Sequence, residues 1–360
     1  MRRVLSWQLL VPVVALIALA LLWGHGLSTT LVLVGVPLLA GAVLAAVYHA
    51  EVVAHWVGEP FGSLLLAVAV TVIEVGLIVT LMVSGGPKTA SLARDTVFAA
   101  VMIASNGIVG LSLWTTARHF RLAVFNAEGA GAALATVTTL ATLSLVFPTF
   151  TTSKAGPQFA PDQLAFAAVA SLVLYVLFVL TQTVRHRDFF LPVRTDDSGA
   201  DQAHAEPPNV RTGLASVGLL LAALVAVVGL AKVESPAIET GVDAAGFPHA
   251  SVGVAIALLV LLPETLAAVR AARRNRVQIS LNLAYGSAMA SIGLTIPTIA
   301  VASIWLDGPL LLGLGPTQMV LLAVTVVVGM LTVVPGRATR LQGAVHMVLL
   351  AAFLFLAVSP

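Results

Sequence analysis

Two glutamates stand where a carboxylate is hardest to keep. Glu74 lies in "VTVIEVGLIV" (residues 70–79) and Glu264 in "LLPETLAAV" (261–269), each inside an apolar run. A carboxylate at the middle of a bilayer costs roughly 2.5–3.5 kcal/mol on insertion scales. One such residue alone leaves open a structural alternative, a protonated and hydrogen-bonded group. Two of them, at equivalent places in two halves of the chain, read as a site where both converge. Carboxylate, carbonyl and hydroxyl oxygens suit a hard cation such as Ca2+. Two carboxylates neutralise one divalent ion; without it they take up protons, because two charges do not persist together in a low dielectric. If the empty, charged site cannot reorient, that exclusivity is exchange of a cation for protons.

The neighbours supply further oxygens. Glu74 is followed by "DTVFAAVMIASNGIVGLSL" (95–113), and Glu264 by "ISLNLAYGSAMASIGLTIPTIA" (279–300). Each pair is a carboxylate segment followed by one rich in small and polar residues. Thr71, Ser105, Asn106, Ser287 and Ser291 carry oxygens at membrane depth, for ligation or for interhelical hydrogen bonds. Pro263 removes a backbone donor beside Glu264, which predicts a broken or kinked helix and exposed carbonyls. Gly107, Gly110, Gly286 and Gly293 allow close helix approach, or plain packing.

Such residues need long apolar elements to hold them. The 360-residue chain is 59% hydrophobic and 9% charged, against roughly a quarter charged in soluble domains. The runs are long and continuous, so the fold class is an all-α polytopic membrane protein rather than a barrel. No cysteine is present, which excludes disulfides, thiolate metal sites and iron–sulfur clusters. No basic patch with aromatics marks a nucleic-acid partner. "MRRVLSWQLLVPVVALIALALLW" has the charge order of a signal peptide but a longer apolar run, and reads as a retained first helix.

Spans of ~20 residues are expected near 4–22, 30–50, 62–84, 95–116, 129–150, 163–184, 212–231, 249–270, 278–304, 309–334 and 341–358, eleven transmembrane helices in all. With the N-terminus inside, alternation places 14 Lys and Arg on the inner side and 4 on the outer. Basic residues collect on the cytoplasmic side, so the N-terminus is expected in the cytoplasm and the C-terminus outside. The polar stretch at 185–211 is expected to be a cytoplasmic linker, partly disordered. It divides an extra N-terminal helix (1–28) and a first five-helix repeat (29–184) from a second five-helix repeat (212–360). Two five-helix units in one chain face opposite ways, the arithmetic of two inverted five-helix repeats.

"HAEVVAHWVGE" brings His49, Glu51, His55 and Glu59 together at helical spacing. A cation-access or pH-sensing patch, a zinc site and a solvated helix end are the readings open for it. Arg94 and Asp95 read as a capped helix terminus. "RAARRNR" (270–276) reads as a topology anchor in contact with anionic membrane lipid, and all five tryptophans fall near span ends.

"HAEVVAHWVGEPFGSLLLAVAVTVIEVGLIV" (49–79) and "RRNRVQISLNLAYGSAMASIGLTIPTIA" (273–300) resemble bacterial calcium/proton antiporters of the ChaA type. These belong to the calcium/cation antiporter superfamily, with the vacuolar cation/proton exchangers. The resemblance implies cation-for-proton exchange by alternating access, with Glu74 and Glu264 as the central metal and proton ligands. It implies a multi-pass protein of the bacterial plasma (inner) membrane that carries Ca2+, or Na+ and K+, against H+. No enzyme activity and no resident cofactor are expected, and the oligomeric state is left open. The alternative is another inverted-repeat cation transporter, or a passive channel without proton coupling. One departure bears on selectivity. The vacuolar exchangers carry Gly-Asn-x-x-Glu in each repeat, where this chain has Val70-Thr71 and Val260-Leu261. Thr71 keeps an oxygen and Leu261 does not, so strict Ca2+ selectivity is not implied.

Overall fold

The computed structural model describes residues 7–24, 29–58, 61–193, 208–305 and 308–359. The helices, in chain order, are α1 (Trp7–Leu22), α2 (Thr29–Val57), α3 (Phe61–Gly85), α4 (Leu92–Phe120), α5 (Ala127–Phe150), α6 (Pro161–Arg185), α7 (Val210–Ala244), α8 (Ala250–Val260), α9 (Leu262–Arg273), α10 (Val277–Ala302), α11 (Pro316–Val333) and α12 (Arg340–Val358). Among the described residues, nine helices are long and apolar enough to cross a membrane, and ten if α8 and α9 make one bent span. The described part of α1 is shorter, at 16 residues. Large apolar side chains point outward along these helices, among them Leu177, Leu331, Val348 and Phe355. An apolar exterior of this extent is stable only against lipid.

A bilayer supplies no water to satisfy polar groups, and the hydroxyls show how the chain copes. Those of Thr136, Thr139, Thr181 and Thr298 each donate to the carbonyl four residues earlier, at 2.7–2.9 Å. The exceptions matter for the site below: the side-chain oxygens of Ser105, Ser112 and Thr295 are buried without a hydrogen-bond partner.

The buried apolar residues fall into two groups. One joins α1, α2 and α7 through Ala15, Val43, Ala46, Ala223 and Val227. The other joins α4, α5, α10 and α12 around Phe98, Met102, Leu140, Tyr285 and Phe353. Helices α3 and α8 belong to both. Ile73 and Leu77 of α3 pack into the first group, Val75 and Ile78 into the second. Ile256 and Val260 of α8 join the first, Val254 and Ala257 the second. These two helices form the seam. Helix α10 is the centre of the larger group, touching α3, α4, α5, α6 and α9.

Loop contacts sort the chain ends of the spans onto two faces. On one face Ala123–Val124 (β1) and Arg337–Ala338 (β2) pair antiparallel. On the same face Thr116 donates to Ala272 O and Asn282 to Phe190 O, at 3.1 and 2.7 Å. On the other, the backbone of Leu311 donates to Ala90 O and that of Gly313 to Pro157 O. There Asp95 accepts from Ser91 at 2.9 Å and pairs with Arg94 at 2.8 Å, while Arg94 also donates to Gly313 O at 3.2 Å. The pair is therefore a tie to the loop before α11, and more than a helix terminus.

The span at 249–270 is broken as Pro263 predicts: α8 and α9 meet at 49° across Leu261, where the missing N–H of Pro263 leaves the ladder open. Two expectations are modified. Helix α7 runs on to Ala244, well past 231, because the polar "VESPAIETGVDA" stays helical beyond the apolar stretch. The start of the linker is docked: Phe190 is buried and stacks edge-on against Phe178 at 5.6 Å. Residues 194–207 of that linker lie outside the described residues.

Helices α4 and α12 approach at Gly110 and Gly343. A Cβ at Gly343 would stand 2.6 Å from Trp114 N and 2.9 Å from Gly110 O. Gly343→Val is expected to cost about 1–3 kcal/mol as overpacking, read as a lower Tm of the detergent-purified protein. Gly218→Ala, where a Cβ meets nothing within 4 Å, should leave Tm unchanged.

Candidate ion-binding site

Glu74 sits in the middle of α3, an unbroken helix of Val, Leu and Ala with no other charge. It is 4% exposed and accepts a hydrogen bond from Ser291 Oγ of α10 at 2.7 Å. Thr295, one turn along α10, comes up to the same carboxyl without closing a bond. Thr71, one turn back on α3, is also buried.

Glu264 occupies the first turn of α9, directly after the bend. Free N–H groups at a helix start favour a nearby anion, and the residue's own N–H turns toward its carboxyl. The carboxyl is 9% exposed, yet Oε2 has no hydrogen-bond partner. Pro263 precedes it, half-buried at the break. The carboxyl is within electrostatic reach of Glu74 and of Glu51. Thus α3 brings one carboxyl to α10, and the α8–α9 bend holds the other within its electrostatic reach.

The orphaned oxygens mark what the site lacks. Glu264 Oε2 and Thr295 Oγ1 are buried, are acceptors, and receive nothing. Ser105 Oγ, in a π-helical turn of α4 at Ile103–Ile108, is a third such group, and that turn packs on both α9 and α10. A buried polar atom left unpaired costs about 1–3 kcal/mol, which a bound cation or proton would remove. Among the described residues no group of three or more His, Asp and Glu side chains converges.

The other candidates separate. Asn106 turns away from the carboxyls: Nδ2 donates to Thr325 Oγ1 at 3.0 Å, and Oδ1 meets His346 Nδ1 at 3.1 Å. His346 Nε2 in turn meets Thr332 Oγ1 at 3.2 Å. Asn106 is therefore part of a buried network joining α4, α11 and α12. A π turn spaces hydrogen bonds five residues apart instead of four, which rotates Asn106 off the face that regular helical counting gives it. Ser287 is half-buried and Gly286 borders open space. His49 is fully buried, contacting Ser216 Oγ at 3.3 Å and Gln8 O at 2.9 Å. It bridges α2, α7 and α1 and is not part of an exposed patch. Glu51 is half-buried near Glu264 and Arg270, His55 is exposed, and Glu59 lies outside the described residues. Sequence reasoning missed Thr295, although it stands four residues beyond Ser291, and missed His346, whose partners come from distant helices.

The chain matches the sodium/calcium exchanger protein family over residues 27–184 and 215–359. It is 46% identical to the protein y4hA of Sinorhizobium fredii (strain NBRC 101917 / NGR234), covering 98% of this chain and 96% of that one. It is 35% identical to the sodium-potassium/proton antiporter ChaA of Escherichia coli (strain K12), covering 96% and 94%. In fold it is similar to YfkE, with a TM-score of 0.71, 15% identity and coverage of 98% and 99%. It is likewise similar to the H+/Ca2+ exchanger CAX, with a TM-score of 0.67, 17% identity and coverage of 97% and 92%. A multi-pass helical chain matched along nearly its whole length, with paired carboxyls on its seam, belongs to the sodium/calcium exchanger family of the calcium/cation antiporter superfamily.

Proposed function

We propose that the protein exchanges a hard cation for protons across the bacterial plasma membrane by alternating access. The cation is Ca2+, with Na+ and K+ as further substrates. Glu74 and Glu264 bind cation and protons in turn, and no covalent or redox step is involved. The observation that carries this reading is a pair of buried carboxyls on α3 and α9 within electrostatic reach of each other, Glu74 held by Ser291 of α10 and Glu264 Oε2 unpartnered. Among the described residues neither carboxyl is neutralised by a basic side chain within hydrogen-bond distance, so a cation or protons must supply the positive charge. Thr71, Ser105, Ser291 and Thr295 are the neutral oxygens that complete the coordination. The 35% identity to a sodium-potassium/proton antiporter supports both the proton coupling and the wider ion range. Leu261, buried at the bend where the resemblance expects asparagine, supports a loosened Ca2+ preference.

The cycle follows from the seam. The group of α1, α2 and α7 and the larger group share α3 and α8, with Leu92 at the start of α4, so a shift between them opens the carboxyls to one side or the other. Counting α1 as a span and α8–α9 as one gives eleven, with α2–α6 and α7–α12 as the inverted units. The loop contacts above agree with alternation of α4–α6 and of α10–α12. The face carrying Arg118, Arg121, Arg270 and Arg337 is the cytoplasmic one by its charge. Glu51, on that side of Glu264, is the group that first meets a cytoplasmic cation.

In liposomes with an acid interior, adding Ca2+, Na+ or K+ outside should collapse the pH gradient through the reconstituted protein. A gradient that no cation collapses contradicts antiport, and cation flux without proton movement indicates a channel instead. Glu74→Gln and Glu264→Gln should each reduce exchange to the protein-free background while the protein elutes as a folded, monodisperse species. Ser291→Ala removes a hydrogen bond to a charged group, worth about 1.5–3 kcal/mol. It should weaken apparent cation affinity roughly 10- to 100-fold with a smaller change in maximal rate; unchanged affinity would remove Ser291 from the site.

A further inference from the structure

A third carboxyl is buried outside this site. Glu234 of α7 is 0% exposed, and neither Oε1 nor Oε2 has a hydrogen-bond partner. It lies against Gly35 of α2, where an added Cβ would collide with Oε1 and its carboxyl carbon. The carboxyl therefore fills the notch that the absent side chain leaves. The pairing of α2 with α7 is the most extensive helix contact in the molecule.

No charge stands against it among the described residues. Helix α1 carries no titratable side chain, and α8 none. Tyr48, His49, Glu51 and His55 of α2 lie in the half of that helix remote from Gly35. Glu74 is the one titratable group on α3, engaged by Ser291. On α7 itself Lys232 lies over the Trp23 ring at 5.4 Å, and Glu239 accepts from Ser235 at 3.1 Å. Asp243 pairs with His249 at 3.2 Å. A lone carboxyl with no other oxygens around it is not a metal site. Burying its charge unpaired would cost far more than neutralising it.

We propose that Glu234 is a proton-binding site separate from Glu74 and Glu264, occupied while α7 lies packed on Gly35 and emptied when that packing opens. Pro236, two residues on, removes a helical hydrogen bond and gives α7 a place to bend. Val228, about 9 Å back along α7 at 1.5 Å per residue, packs on Gly76 of α3, two residues from Glu74. Proton occupancy at Glu234 thus reaches the exchange site through helix position. In the antiport cycle, on which this last step alone rests, it gives the exchanger a pH dependence beyond that of its two central carboxyls.

The test needs no transport, so it stands apart from the antiport reading. The chain has no cysteine, so Val34→Cys on α2 and Val225→Cys on α7 take a pair of spin labels in the full-length protein in nanodiscs. Alkaline titration should lengthen or broaden the label distance in the parent and leave it fixed in Glu234→Gln. The protonated-carboxyl infrared band should lose a component in Glu234→Gln that persists in the Glu74→Gln, Glu264→Gln double variant. Gly35→Ala, which pushes the carboxyl out of its notch, should show the lengthened distance already at neutral pH. The proposal is overturned if Glu234→Gln titrates like the parent, if its infrared band is unchanged, or, should that variant not fold, if Gly35→Ala keeps the parent's distance.

Discussion

Two carboxyls in a low dielectric, with too few donors to satisfy them, are the constraint around which this molecule is arranged. Neither charge is stable there alone. Glu74 receives one hydroxyl from Ser291, and Glu264 keeps an oxygen with nothing at all. Elsewhere in the same chain, threonine hydroxyls at membrane depth fold back onto their own helices.

The surrounding architecture keeps that deficit in position. Helix α3 holds Glu74 on a straight rod, whereas Glu264 sits at a helix start created by the break before Pro263. Both stand on helices shared by the two apolar groups or next to one, and α10 backs Glu74 with Ser291 and Thr295. The buried chain from Thr325 through Asn106 and His346 to Thr332 fixes α4, α11 and α12 together behind this wall. One group of helices is thereby tied internally by hydrogen bonds, and the other, α1 with α2 and α7, is held chiefly by apolar contact and close glycine packing.

Much of this was legible in the residues. Glu74 and Glu264 declared themselves because acids in apolar runs are costly, Pro263 announced the break, and the arginine distribution agrees with the faces on which the loops meet. What escaped is what local pattern does not encode. The π turn at 103–108 set Asn106 on another face. The hidden polarity of His49 looked like a surface patch, although Ser216 and Gln8 enclose it from distant helices. Glu234 lies beyond the expected end of its span at 231, whereas α7 continues and Gly35 encloses it.

The claim at the centre of the account is that cation and protons compete for the same two carboxyls. Proton release on cation binding measures it most directly: Ca2+, Na+ or K+ is added to the purified protein in weakly buffered detergent solution, and the pH is followed. The account predicts protons released in proportion to cation bound, with release suppressed as the starting pH is raised. Cation binding without proton release, at any starting pH, would contradict it.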